Sequence, residues 1–118
     1  MKVQKIAYYL ATGVLTAIMV YSVQMYLRNP DAIADYFESV DYPRYLVYPL
    51  AIAKILGLVA IWGNFSKWLK EWAYAGFFFD VMLAFTAHKV AQDGGELFSI
   101  IAFIALIVSY FLGKTVRP

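Results

Sequence analysis

Twenty-two consecutive residues, from Ile6 to Leu27, carry no formal charge. A helix crosses the hydrocarbon core of a bilayer with about 20 mostly apolar residues. This stretch alone limits what the chain can become. Three further apolar stretches follow, at residues 45–63, 71–88 and 97–112. Their apolar residues come in long runs rather than at period two, which favours helices over strands. The expectation is an all-α membrane protein: a four-helix transmembrane bundle forming one domain over residues 1–118. The chain is 63% hydrophobic and 15% charged, whereas a soluble domain carries about a quarter charged residues.

The first stretch also resembles a signal peptide at two points. Lys2 and Lys5 form a basic start, and Ala32-Ile33-Ala34 has the A-x-A form. The apolar run exceeds the roughly 7–15 residues of a cleaved signal, so a retained span is expected. Tyr8, Tyr9, Tyr21 and Tyr26 lie toward its ends, as an aromatic belt would. Ala7 with Ala11 and Gly13 with Ala17 give small-residue pairs suited to close helix contact.

Residues 28–44 are polar and hold Asp31, Asp35, Glu38 and Asp41. Asn29-Pro30-Asp31 reads as an N-cap, a first-turn proline and an early acid. Ile33, Tyr36, Phe37 and Val40 follow at helical spacing. A short amphipathic helix is therefore expected between the first and second spans, and Pro43 should break the chain before the second span.

Basic residues give the orientation. Lys2, Lys5, Lys67, Lys70, Lys114 and Arg117 fall on one side, and Arg28, Arg44 and Lys89 on the other. The positive-inside rule then puts both termini in the cytoplasm. The net charge of +2 and the lack of a spaced basic patch argue against nucleic acid as a partner. With no cysteine, the chain has neither disulfides nor thiolate chemistry.

Lys54 and Asp80 stand near the middle of the second and third stretches. Opposite running directions bring both near the midplane. A charge there costs about 2.5–3.5 kcal/mol and must face protein or water, so the two are expected to pair. Such a pair either lines a ligand or proton site or fixes helix register. Gly57 and Ala51 flank Lys54, and Ala73, Gly76, Ala84 and Ala87 share about one face with Asp80, so a close helix approach is expected there. Of Phe77-Phe78-Phe79, not all can face inward.

His88 is the single histidine, so bis-histidine haem ligation within the chain is excluded. Its spacing to Asp93 and Glu96 matches no recognised metal site, and an interfacial histidine with a hydrogen-bond partner is the simpler reading. Glu71 reads as a first-turn acid favoured by the helix dipole. Trp62, Trp68 and Trp72 read as interface anchors. Ala105, Ser109 and Gly113 form a small-residue stripe on the fourth span. No catalytic residue and no metal site is indicated.

At Lys54-Ile55-Leu56-Gly57 and Leu69-Lys70-Glu71-Trp72-Ala73-Tyr74-Ala75-Gly76-Phe77 the sequence resembles the DoxX-like family of small membrane proteins. The resemblance continues through Phe79-Asp80, Ala87-His88 and Asp93-Gly94. Upstream, Thr12-Gly13, Asn29-Pro30 and Tyr42-Pro43 fit the same pattern. It departs at Ala87, where many relatives carry serine, and at Leu83, where glycine is common. The resemblance implies a four-helix membrane fold in a bacterial or archaeal plasma membrane. It places Lys54, Glu71, Asp80 and His88 at motif positions. The family takes its name from a subunit of an archaeal thiosulfate:quinone oxidoreductase, which implies a link to membrane redox chemistry or quinone. The chain lacks cysteines, repeated histidines and a Gly-rich nucleotide loop, so an electron carrier would come from a ligand or partner.

The first expectation is thus an accessory subunit, not catalytic on its own, that holds a quinone or other apolar molecule between helices. Lys54 and Asp80 would supply polar groups, and His88 would contact a headgroup. The lipid bilayer and a redox subunit or a second copy of the chain would be its partners. The alternatives are a small-solute or proton transport unit, with Asp80, Lys54 and Glu71 as its polar path, and a structural scaffold.

Overall fold

Asn29, Pro43, Ser66, Gln92 and Gly95 punctuate the chain, and nearly all the other described residues are helical. The computed structural model describes residues 2–92 and 94–118. It contains α1 (Lys2–Arg28), α2 (Pro30–Ser39), a 3-10 turn (Arg44–Leu46), α3 (Val47–Gly63), α4 (Lys67–Ala91) and α5 (Glu96–Val116). No strand occurs among the described residues.

The four long helices run in alternating directions. α1 packs on α5 and α3, and α4 packs on α3 and α5, so the order around the bundle is α1, α3, α4, α5. The molecule measures 45 × 27 × 20 Å. Its long axis is close to the ~40–45 Å thickness of a bilayer with its headgroups. Three helical segments, Lys2–Arg28, Arg44–Gly63 and Glu96–Val116, are long and apolar enough to cross a membrane.

Local chemistry explains the boundaries. Pro30 opens α2 directly after Asn29, though the Asn29 side chain makes no capping bond. Ala34 and Phe37 of α2 are buried, while Asp31, Asp35 and Glu38 are exposed. Asn64 ends α3 in a left-handed conformation, and its N–H donates to the Ala60 carbonyl. The Ser66 hydroxyl then accepts from Leu69 N–H and starts α4 at Lys67. Residues 67–70 thereby form the first turn of α4, ahead of the apolar stretch at 71–88. Glu71 falls in the second turn of α4, and the first turn holds no acid. The dipole reading of Glu71 is corrected accordingly, because the Ser66 cap lies upstream of the apolar run.

The interior is small and partly polar, and the outside is apolar. Thr12, Lys54, Ser99 and Ser109 are buried, as are Ala51, Ala87, Ala102 and Ala105. Leu10, Val20, Leu56, Phe79, Ile104 and Phe111 are exposed. An apolar girdle of this kind exceeds what a soluble monomer shows to water, and lipid satisfies it.

Close helix contacts form at only some of the expected positions. A Cβ on Gly57 would lie 2.7 Å from the Phe77 ring, so α3 and α4 meet there. Gly113 faces Tyr8 at 3.1 Å, and Ala105 and Ser109 are buried, so the α5 stripe packs on α1. Gly76 and Gly13 instead face open space, and Ala17 is exposed. Phe77, the residue next to Gly76, points inward and sets the face of α4. Phe78 and Phe79 point outward.

Candidate functional site

Tyr8, Thr12, Leu15, Met19, Ser22 and Tyr26 follow one another at intervals of three or four along α1. This spacing puts them on one face, which looks into the bundle. It therefore carries polar groups at two levels, separated by the apolar pair Leu15 and Met19. Those two pack with Ile61, Phe77, Val81, Ala102 and Leu106.

On one side of this apolar layer Lys54 and Asp80 meet. Lys54 Nζ lies 3.8 Å from Asp80 Oδ2, with side-chain exposures of 6% and 15%. The same ammonium donates to Ser22 Oγ at 2.5 Å and sits 4.2 Å from the centroid of the Tyr26 ring. Three helices thus supply the site: α1 gives Ser22 and Tyr26, α3 gives Lys54, and α4 gives Asp80. The Lys54 charge is held by a hydroxyl, a ring face and a carboxylate. Asp80 is held less fully. At 3.8 Å the bridge is longer than a hydrogen bond, and it is Asp80's only polar contact among the described residues. Its oxygens keep lone pairs that no other described donor uses.

On the other side lies a layer of neutral hydroxyls. Ser109 Oγ shares hydrogen bonds with Thr12 Oγ1 at 2.6 Å and Tyr74 OH at 2.7 Å. Beyond it, Arg117 donates to Tyr8 OH at 3.2 Å and to the Ile61 and Trp62 carbonyls at 3.1 and 2.8 Å. This guanidinium closes the C-terminal end of α3, where carbonyls lack helical partners.

The remaining candidates lie elsewhere. His88 is about 12 Å along α4 from Asp80, by helix rise. Its Nδ1 shares a hydrogen bond with Tyr36 OH at 2.9 Å, which ties α4 to α2. Glu71 is exposed at the opposite end of α4. It accepts from Tyr110 OH at 2.8 Å and lies 3.8 Å from Lys114. Neither residue joins the Lys54–Asp80 pair, and the Phe77 layer separates Glu71 from it. Trp68 and Trp72 pack against each other at a 40° tilt with centroids 4.2 Å apart, while Trp62 donates to Thr16 Oγ1.

Sequence reasoning missed Ser22, Tyr26, Thr12, Tyr74 and Arg117. The signal for the first three was their periodicity with Leu15 and Met19. Reading Tyr26 as a belt residue hid it. No cluster of three metal-binding side chains occurs among the described residues. Asp93, the other partner weighed for His88, lies outside them.

A comparison with known families matches residues 10–110 to the model described as the DoxX-like family. No curated protein and no solved structure gives a match. The chain belongs to the DoxX-like family.

Proposed function

Proceeding from that membership, we propose that the protein is a four-span membrane subunit. It holds a small oxygen-bearing apolar molecule against Lys54 and Asp80 and serves a membrane redox system. The carrying observation is the Asp80 carboxylate at mid-helix, 3.8 Å from Lys54 and with no other hydrogen-bond donor among the described residues. A purely structural buried pair gains most when its lone pairs are fully used. This pair stops short of that.

Several features support the wider reading. α4 has 25 residues and extends about 37 Å. Its basic and acidic residues other than Asp80 lie near its ends, which suits a fourth span. α2 has an acidic exposed side and an apolar buried side, which suits a short amphipathic helix at the membrane surface. The six-to-three distribution of basic residues between the two ends suits cytoplasmic termini in a plasma membrane.

The donor set suits a quinone. A quinone supplies two-electron redox chemistry where it is bound. Lys54 carries three N–H donors; one is spent on Ser22, leaving others for a carbonyl oxygen. A quinone has no hydroxyl to donate, so Asp80 would accept only from its reduced, quinol form. Ser22 and the Tyr26 ring fix where the ammonium points.

Native mass spectrometry of the protein extracted in mild detergent tests this. A quinone or comparable apolar molecule should be retained by the wild type. The charge-swapped Lys54→Asp/Asp80→Lys double variant should fold and lose it. Full retention by the swapped protein would return the pair to a register-fixing role.

A further inference from the structure

At the end of the bundle that carries both termini, a cleft of about 200 Å³ opens between the start of α4 and the end of α5. Four cations line it: Lys67, Lys70, Lys114 and Arg117. The one acidic side chain there is Glu71, already engaged by Tyr110 and Lys114. Arg117 and Lys70 are bound by no acidic side chain. Arg117 donates to one phenol and two backbone carbonyls. Lys70 donates to the Arg117 carbonyl at 2.6 Å. The positive charge is compounded by the first turn of α4, which points its unpaired N–H end this way and holds no acid. Lys70, outside the apolar stretch, is pushed below the usual lysine range by burial and then by the charges of Arg117 and Lys67. An anion would relieve that crowding.

Beside this cleft runs a second one. It shares Glu71, Tyr74 and Tyr110 and continues along the outer seam of α4 and α5 over Ala75, Phe78, Phe79, Leu106, Ile107 and Phe111. Its volume is about 380 Å³ and its far part is wholly apolar. One continuous surface thus passes from a cluster of cations to an aromatic and aliphatic channel facing lipid. Basic pockets between spans on the cytoplasmic side suit anionic lipid headgroups.

We propose that this surface is a binding site for an anionic phospholipid. The phosphodiester sits among Lys67, Lys70 and Arg117, and one acyl chain lies along the α4–α5 seam. The head needs several acceptor oxygens and a net negative charge, because the cleft holds four cations against the single acidic side chain of Glu71. A zwitterionic head would bring its own cation into the same field. The site is separate from the Lys54–Asp80 pair, and its test reads a different ligand.

The experiment is native mass spectrometry and thermal unfolding of the full chain in detergent, with phosphatidylglycerol, phosphatidylcholine or inorganic phosphate added. Phosphatidylglycerol should be retained about tenfold better than phosphatidylcholine and should raise the unfolding temperature by several degrees. Lys67→Gln at the exposed rim combined with Lys70→Gln at the half-buried floor should abolish that preference. Ala75→Phe, which fills the seam, should lower retention of the lipid while leaving any phosphate response unchanged. Equal retention of the two lipids would overturn the proposal. So would an equal effect from inorganic phosphate, which would make the cleft a site for a free anion. Should the double lysine variant fail to fold, Ala75→Phe alone still decides.

Discussion

The hydroxyl layer at Thr12, Tyr74 and Ser109 and the ion pair at Lys54 and Asp80 occupy the same bundle, yet they are finished to different degrees. The three hydroxyls close on one another within 2.6–2.7 Å, and Ser109 and Thr12 are essentially inaccessible. Neutral groups that satisfy each other can be sealed in at little cost. The ion pair carries two full charges at 3.8 Å. It draws in Ser22 and Tyr26 on the lysine side and stays partly open on the aspartate side. A charge keeps its demand for solvation until every lone pair is used. The first region is complete as it stands, and the second has hydrogen-bonding capacity left for something else.

The sharpest way to break this comparison is to remove one charge. Asp80→Leu leaves Lys54 buried without its counter-ion and should destabilise the protein by about 3–5 kcal/mol, measured by denaturant unfolding in detergent. Lys54→Met added to Asp80→Leu should recover most of that loss, since an apolar pair of similar volume is tolerated. The recovered double variant should hold no quinone. If it still did, the ion pair would not be the site.

The hydroxyl layer should respond more weakly. Ser109→Val leaves Thr12 and Tyr74 each without a partner, at about 2 kcal/mol in total. Ligand retention at Lys54 should be unchanged, because the Leu15, Met19 and Phe77 layer stands between the two regions. A loss of ligand in this variant would join the two regions into one polar path and bring the transport reading forward.

The smallest effect belongs to Tyr26→Leu, which removes the ring face beneath Lys54. It should cost about 1 kcal/mol in the same unfolding assay. It should weaken ligand retention without abolishing it, since Ser22 still orients the ammonium. A complete loss would make Tyr26 a contact of the ligand itself.

Much of the architecture was legible in the chain. Length and runs of apolar residues gave the helices, Asn29-Pro30 gave the start of α2, and opposite chain directions brought Lys54 to Asp80; α2 itself stops at Ser39, short of Pro43. These follow from backbone geometry and from the cost of charge in hydrocarbon, both of which act residue by residue. The small-residue pairs were less legible. Gly13 and Gly76 fit the pattern as well as Gly57 and Gly113 do, yet the former face open space. Spacing says which residues share a face, but which face turns inward depends on competing neighbours such as Phe77.

The tertiary structure alone decided who completes each site. Ser22 and Tyr26 lie 32 and 28 positions before Lys54 in the chain, and Arg117 reaches Tyr8 across 109 positions. Such contacts form only when the rotation of every helix about its axis is fixed at once. The same packing separated Glu71 and His88 from the central pair. The sequence set the charges that had to be buried; the arrangement of the four long helices set which of their hydrogen bonds were left to make.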